Sequence, residues 1–135
     1  MKPFITVVIP LYNKQNYVGK TLESVLNQSF TNFEVVLIND CSTDNSFAVV
    51  AAFDDSRIKL LSHSKNQGLS ATRNTGIKNA TSKYIAFLDA DDLWKPDFLK
   101  EIYQLITSFP DAHLFATNYE EIIDDKITIL PANGA

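Results

Sequence analysis

The chain has 135 residues, of which 45% are hydrophobic and 21% are charged, and its formal net charge is −4. These values are typical of one soluble domain with a single core, and they exclude a strongly basic nucleic-acid-binding surface. The apolar runs are too short for a membrane helix, and the single cysteine, Cys41, fits a reducing compartment. We therefore expect one domain over residues 1–135 in a cytoplasmic protein.

Apolar and β-branched runs alternate with segments of helical periodicity along the chain. Such runs predict strands at 5–11, 33–38, 57–62 and 84–88, and two further strands at 113–119 and 127–130. The first strand is directly followed by the polar segment 12–17, and the next three strands also lead into polar residues.

Apolar residues three or four positions apart predict the helices between these strands. The first covers 18–26, and the second covers 46–52 with Asp44 as its N-cap. The third covers 70–80, with Leu69, Ile77 and Ala80 as candidate inward residues. Pro96 suits the first turn of the fourth helix. The apolar stripe of that helix consists of Leu99, Ile102, Tyr103 and Ile106.

Alternating strands and helices predict an α/β fold of three layers, with a mostly parallel sheet covered by helices on both faces. In such sheets, ligands bind outside the carboxyl ends of the strands, where the winding reverses. The strand ends are residues 10–13, 39–40, 62–63 and 89–91. Polar residues that are distant in sequence are therefore predicted to converge at one edge.

The segment FLDADD places three carboxylates within four positions after a predicted strand. Residues two apart project to the same side, so Asp89 and Asp91 can address one point, and hard carboxylate oxygens suit Mg²⁺ or Mn²⁺. A solvated acidic loop is the alternative. Glycine-rich phosphate loops are excluded, because the four glycines are scattered at 19, 68, 76 and 134.

Three other residues near this edge have both a structural and a functional interpretation. Asp40 is either a turn residue or an acceptor for a nucleobase N–H. Arg73 is either an exposed helix cation or a phosphate ligand, and Tyr12 either packs or stacks on a base. His63 and Cys41 are interpreted as structural or incidental, since His63 has no second histidine near it in the sequence with which to share a metal and Cys41 has no partner.

Four motifs in order resemble the inverting, nucleotide-sugar-dependent glycosyltransferases of family 2, which have the GT-A fold. They are VVIPLYN at 7–13, NDCSTDNS at 39–46, NQGLSATRNTGI at 66–77 and FLDADD at 87–92. The departures are Cys41 where the family usually has Gly, Asn39 where it usually has Asp, and Thr72 where it usually has Ala. A β-carbon on Cys41 makes a positive φ harder to adopt.

The resemblance implies a donor site for a nucleotide-sugar of the UDP-sugar type, with an inverting transfer to a saccharide or lipid-linked acceptor in polysaccharide biosynthesis. It places Pro10, Tyr12 and Asp40 at the base, Arg73 near the nucleotide, and Asp89 and Asp91 at a Mn²⁺ or Mg²⁺ ion and the diphosphate. Asp91 is then the direct metal ligand, and Asp89 faces the ribose or diphosphate.

The family's catalytic base comes from a later segment, so the resemblance implies a base beyond Ala135 and a fold truncated at its C-terminus. The acidic residues at 120, 121, 124 and 125 are interpreted as a solvated turn. A full-length protein could associate with the membrane, although this chain contains no predicted transmembrane segment.

Two other functions compete with glycosyl transfer. Aspartyl-phosphate phosphohydrolases also place D-x-D after an apolar strand, but their pattern has Thr or Val where this chain has Leu93, and their motif ends the first strand. A non-catalytic domain that keeps only the nucleotide pocket is the other alternative.

Overall fold

The computed structural model describes residues 2–130, and the chain forms two compact units, Met1–Asp97 and Phe98–Ala135. The first unit alternates strands and helices, as the sequence predicts. Its elements are β1 (Ile5–Leu11), α1 (Val18–Leu26), β2 (Phe33–Asn39), α2 (Ser46–Ala51), β3 (Ile58–Ser62), α3 (Leu69–Asn79) and β4 (Tyr84–Phe87).

The four strands of the first unit form one parallel sheet in the order β3-β2-β1-β4. The chain moves outward from β1 to β2 and β3, and then returns to the other side of β1 to form β4. Right-handed crossovers therefore place α1 and α2 on one face and α3 on the other. The winding reverses between β1 and β4, so a ligand crevice is expected at the carboxyl ends of these two strands. The predicted α/β fold is confirmed.

The core is concentrated on the two central strands, whose residues are almost all buried. On one face, Val8, Val36 and Ile38 form a buried cluster, against which Leu61 and Ile85 pack. The mostly apolar sequences of β1 and β2 match this burial, because a strand covered on both faces does not alternate polar and apolar residues.

The predicted inward face of α3 is wrong. Leu69 is 51% exposed, Ile77 is 43% exposed and Ala80 is only half-buried, whereas Thr72 and Gly76 are buried. The reason is a close approach of helix and sheet. A β-carbon added at Gly76 would overlap the side chain of Val8, so the contact face requires small residues rather than large apolar ones.

The predicted N-cap of α2 is also wrong by one residue, since the N-cap is Asn45. The Asp44 carboxylate accepts hydrogen bonds from the backbone N–H of Ser46 at 2.8 Å and of Gln15 at 3.2 Å. Asp44 thus links the start of α2 to the loop after β1, which a purely local capping pattern does not show.

The second unit contains α4 (Phe98–Ser108), β5 (Tyr119–Ile123) and β6 (Lys126–Leu130). Helix α4 begins two residues after Pro96, so the proline precedes the helix instead of lying in its first turn. Three residues of the predicted stripe are buried, and Tyr103 is 37% exposed. The buried ones are Leu99, Ile102 and Ile106.

The predicted strand at 113–119 is wrong, because only its last residue is in a strand. Tyr119 begins β5, which pairs antiparallel with β6. Asp124 and Asp125, with φ of 49° and 60°, form the two-residue turn of this hairpin, and Asp tolerates such angles. Glu120 and Glu121 therefore belong to β5 and not to the solvated turn that the sequence suggested. Within the described part of the chain, every helix is too short or too polar to cross a bilayer.

Candidate functional site

A cavity of about 370 Å³ opens at the carboxyl edge of the sheet, beside the ends of β1, β2 and β4 and the start of α3. Five of the six residues predicted at a nucleotide or metal site line it, and the sixth, Arg73, bonds to one of them. The lining residues are Pro10, Leu11, Tyr12, Lys14, Asp40, Asn66, Gly68, Leu69, Thr72, Asp89, Ala90 and Asp91.

Hydrogen bonds between two loops fix one side of this cavity. Asn13 has a φ of 50°, and its side-chain oxygen accepts from the backbone N–H of Thr43 at 2.8 Å and of Asp44 at 3.3 Å. Its own N–H donates to the hydroxyl of Ser42 at 3.1 Å. The loop after β1 is thereby held against the loop after β2. Sequence reasoning missed this role of Asn13, because it depends on the path of both loops.

The acidic residues after β4 lie in a tight turn, in which the N–H of Asp92 donates to the carbonyl of Asp89 at 3.1 Å. Ala90 is buried, and its carbonyl accepts the hydroxyl of Thr21 at 3.0 Å. Anchoring Ala90 in this way leaves the flanking side chains exposed. Asp89, Asp91 and Asp92 each offer an oxygen within 4.8 Å of the others. The turn therefore adds Asp92 to the predicted pair.

Two basic side chains neutralise part of this acidic turn. The ammonium of Lys14 lies 3.0 Å from Asp91, and the guanidinium of Arg73 lies 3.3 Å from Asp89. The hydrogen bond to Asp91 raises the pKa of Lys14. Although Asp92 is exposed, partial desolvation of its carboxyl group, together with the charges of Asp91 and Asp89, raises the pKa of Asp92 above its ordinary value. Negative charge is thus still in excess, and three clustered carboxylates form a donor set that fits a hard divalent cation.

Arg73 lies on α3 and is directed towards the acidic turn. Its guanidinium carbon is 5.9 Å from the centre of the Phe87 ring, and its NH2 group donates to Asp89. The Nε atom is buried and has no hydrogen-bond partner among the described residues. An incompletely paired guanidinium beside the cavity can accept an anionic ligand.

The carboxylate of Asp40 is almost fully buried at the end of β2. Its Oδ1 accepts from His63 Nδ1 at 2.8 Å and from the N–H of Gln67 at 2.9 Å, and its Oδ2 accepts from the N–H of Gly68 at 2.9 Å. Burial acts to raise the pKa of Asp40, but these hydrogen bonds outweigh it and leave the pKa below the ordinary value. Asp40 is therefore an ionised carboxylate beside the cavity.

Two residues interpreted as incidental have defined surroundings. His63 contacts both Asp40 and Thr75, through hydrogen bonds of 2.8 Å on each ring nitrogen. No local motif indicates this contact, since it follows from the pairing of β3 beside β2. Cys41 has a φ of 58°, so the sequence expectation of a strained glycine position is met. Its sulfur lies 3.8 Å from the carbonyl of Ser64.

The parallel sheet, its reversal beside β1 and the carboxylate-lined cavity define an α/β protein of the three-layer GT-A type. Residues 6–130 match the family described as Glycosyl transferase family 2, and the chain belongs to this family. Membership of this family favours sugar transfer over the phosphohydrolase alternative. The acidic turn follows the fourth strand and not the first, which also argues against a phosphohydrolase.

Named relatives extend this assignment. Over 116 residues the chain is 38% identical to the glycosyltransferase GlyA of Streptococcus pneumoniae, which covers 85% of this chain. S. aureus TarS 1–349, solved with UDP-GlcNAc, has a TM-score of 0.75 and 31% identity over 82% of the chain. The mannosyltransferase PcManGT of Pyrobaculum calidifontis, solved with GDP-Man and Mn²⁺, has a TM-score of 0.72 and 26% identity over 78%. The chain spans 16% of GlyA and 32% and 33% of the two solved chains.

Proposed function

We propose that this chain forms the donor-binding part of an inverting glycosyltransferase that uses a UDP-sugar and a divalent cation. The observation that carries the proposal is a single cavity that contains both a buried carboxylate, Asp40, and the acidic turn with Asp89 and Asp91. A nucleoside diphosphate needs both features: an acceptor for its base, and charge compensation at its diphosphate. The UDP-GlcNAc complex of TarS supports the choice of donor.

In this proposal, one end of the cavity binds the nucleoside. Pro10 and Tyr12 line it, and Tyr12 is 46% exposed, so a base can stack on its ring. Asp40 accepts an N–H from the base. Arg73 faces the diphosphate and reaches it by exchanging its bond with Asp89 for phosphate oxygens.

The other end of the cavity fits Mn²⁺ or Mg²⁺, with Asp91 as the direct ligand and Asp89 beside the ribose or diphosphate. A bound cation would offset the negative charge that develops on the departing diphosphate. The Mn²⁺ in the PcManGT complex supports this assignment.

The chain's own contribution to transfer is to bind and orient the donor. Inversion requires one in-line displacement at the anomeric carbon, with a base that takes the proton of the acceptor hydroxyl. We place that base in a segment beyond Ala135 and propose a saccharide or lipid-linked acceptor. The 135-residue chain alone should therefore bind UDP but transfer sugar poorly or not at all.

Calorimetry with UDP tests the binding function. We expect Mn²⁺ to strengthen UDP binding by at least about tenfold relative to EDTA, and Asp91→Asn to remove most of this gain. Asp54→Asn, at an exposed position remote in sequence from the acidic turn, is the matched control and should bind like the unaltered chain. Equal UDP affinity with Mn²⁺ and with EDTA would contradict the metal assignment.

A further inference from the structure

We propose that His63 is a positioning residue that acts through Asp40 and makes the cavity select bases with a ring N–H at their pairing edge. Uracil and guanine present such a donor, whereas cytosine and adenine present a ring-nitrogen lone pair at that position and donate only from the neighbouring exocyclic amino group. The inference rests on the proposed contact between Asp40 and the base, and it assigns a role in base selection to a residue outside the cavity lining.

His63 is held firmly beside Asp40. It directly follows β3, and its backbone N–H donates to the carbonyl of Asn39 on β2 at 2.9 Å. Its side chain is 9% exposed and the Asp40 side chain 4%, so water contributes little to their contact. The imidazole lies between Asp40 and Thr75, with a hydrogen bond of 2.8 Å on each side.

The partners of the imidazole fix which ring nitrogen donates. An ionised carboxylate only accepts, so Nδ1 carries a proton and donates to Asp40. Nε2 either accepts from the Thr75 hydroxyl or donates to it, in which case that hydroxyl donates to the carbonyl of Ala71 at 3.1 Å. Both arrangements keep the Nδ1–H directed at Asp40, so the positioning role does not depend on the charge of the ring.

The hydrogen bonds to Asp40 leave room for one more donor. A carboxylate has about four acceptor positions, two on each oxygen. His63 and the N–H of Gln67 occupy those of Oδ1, and the N–H of Gly68 occupies one on Oδ2, which leaves one position among the described residues. Asp40 and Gly68 both line the cavity, so this position is available to a ligand N–H.

Base selection follows from the hydrogen bonds that Asp40 accepts. A fixed carboxylate with one available acceptor position binds an N–H donor but repels the lone pair of cytosine N3 or adenine N1. Without the Nδ1–H of His63, the carboxyl group can rotate or take up a proton, and a protonated carboxyl also donates. Loss of His63 should therefore weaken binding of the preferred base and reduce discrimination between bases.

The experiment measures the affinities of UDP, GDP and CDP by calorimetry in Mn²⁺. We expect the unaltered chain to prefer UDP over CDP, and His63→Ala to weaken UDP binding by about tenfold, as loss of a hydrogen bond to a buried charge would. CDP binding should change less, so the UDP/CDP preference falls. His63→Gln, which keeps an N–H donor, should restore part of the preference, whereas His113→Ala, at the exposed second histidine, should change nothing.

Each outcome decides the proposal. An equal loss of UDP and CDP affinity in His63→Ala, with the preference unchanged, would show a merely structural role and overturn it. If His63→Ala does not fold by circular dichroism, His63→Gln and Thr75→Val take its place. The proposal is then overturned if Thr75→Val and His63→Gln both keep the full UDP/CDP preference. A reduced UDP/CDP preference in Thr75→Val would support it.

Asp40→Asn separates this inference from the proposed function. If Asp40→Asn leaves UDP affinity unchanged, the contact between Asp40 and the base is wrong, and this inference fails with it. If Asp40→Asn weakens UDP binding but His63→Ala alters neither affinity nor preference, the base contact stands and only the role of His63 is refuted.

Discussion

At the scale of single residues, Lys14 acts directly on the acidic turn. Its ammonium lies 3.0 Å from Asp91, and both side chains are 40% exposed. A cation that binds Asp91 must share the carboxylate with Lys14 or displace it. An ion pair this exposed contributes at most about 1 kcal/mol, so Lys14 moderates cation binding but does not prevent it.

Lys14→Met should therefore tighten Mn²⁺ binding by the nucleotide-free chain by about two- to fivefold, because the competing ammonium is removed. Titration of free Mn²⁺ followed by electron paramagnetic resonance measures this affinity directly. Lys20→Met, at an exposed position on α1, is the control. An unchanged or weaker Mn²⁺ affinity in Lys14→Met would show that Lys14 does not compete at Asp91.

Cys41 is a second residue whose local chemistry predicts an effect. Its φ of 58° lies in the left-handed region, where a β-carbon is unfavourable. Cys41→Gly should raise the free energy of unfolding by about 0.5–1 kcal/mol in urea denaturation, and Cys41→Ala, which keeps the β-carbon, should give no gain. If glycine and alanine have equal effects, the backbone angle is not the source of strain.

The candidate site residues differ in how well the sequence predicts them. Asp40, Asp89 and Asp91 follow apolar strands, so strand ends and residue chemistry are enough to place them at one edge. Lys14 and His63 reach the same site only through the course of a loop and the pairing of β3 with β2. Such contacts depend on tertiary structure, which neither spacing nor composition encodes locally.

At the scale of elements, the contact between α3 and the sheet depends on the absence of a β-carbon at Gly76. A β-carbon at Gly76 would overlap Val8 and lie 3.1 Å from Ile38 Cδ1. Hydrophobic periodicity identifies large apolar residues, so it selected Leu69 and Ile77, which are exposed. The helix was predicted correctly, but its buried face was not, because close packing here excludes bulk.

Gly76→Ala should lower the free energy of unfolding by about 1–3 kcal/mol, since an overpacked core shifts side chains and backbone. Gly19→Ala is the matched control: it is also a helical glycine, but its added β-carbon meets Val49 at an ordinary 3.5 Å. At position 19 the better helix propensity of alanine should raise the free energy of unfolding by up to about 1 kcal/mol. Urea denaturation of both variants tests the pair, and equal effects would refute the packing explanation.

A polar cluster at the opposite edge joins the start of β4 to the two central strands. Thr6 is fully buried on β1, and its hydroxyl donates to Glu34 Oε1 on β2 at 2.6 Å. The backbone N–H and hydroxyl of Thr81 donate to the same oxygen, at 2.7 and 2.9 Å. Glu34 therefore fastens the connection between α3 and β4 to the sheet.

This cluster predicts a dependence of stability on pH. Burial acts to raise the pKa of Glu34, but the hydrogen bonds from Thr6 and Thr81 outweigh it, so the folded pKa is lower than the unfolded pKa. A lowered folded pKa contributes stability that is present above the unfolded value of about 4.3 and is lost as pH falls through the folded pKa.

Glu34→Gln should therefore cost about 1 kcal/mol at pH 7, and the difference from the unaltered chain should shrink between about pH 5 and pH 3. Urea denaturation across this range gives both curves, and subtraction removes the contribution of the other carboxylates. Glu23→Gln, at an exposed position on α1, should show a small difference that does not vary in this way. A constant difference for Glu34→Gln would argue against the shifted pKa.

At the scale of the whole molecule, the proposed donor site lies within one unit. Every residue that lines the cavity lies between Pro10 and Asp91, inside the unit Met1–Asp97. The hairpin of β5 and β6 belongs to the other unit. The first unit therefore contains all the parts that the proposed donor site requires, even though the chain spans only a fraction of its relatives.

Hydrogen exchange followed by mass spectrometry can test this confinement. UDP with Mn²⁺ should slow exchange at 10–15, 40–46, 66–73 and 88–92, because loops bound to the ligand open less often. At a ligand concentration of 100 times Kd, the free energy of global unfolding should rise by about 2.7 kcal/mol. The amides of Gln67 and Gly68 report directly on Asp40, since both donate to its carboxylate. UDP with EDTA, and Asp91→Asn with Mn²⁺, should give little protection. Equal slowing at 119–130 would show that ligand binding also stabilises the second unit, contrary to a donor site contained in the first.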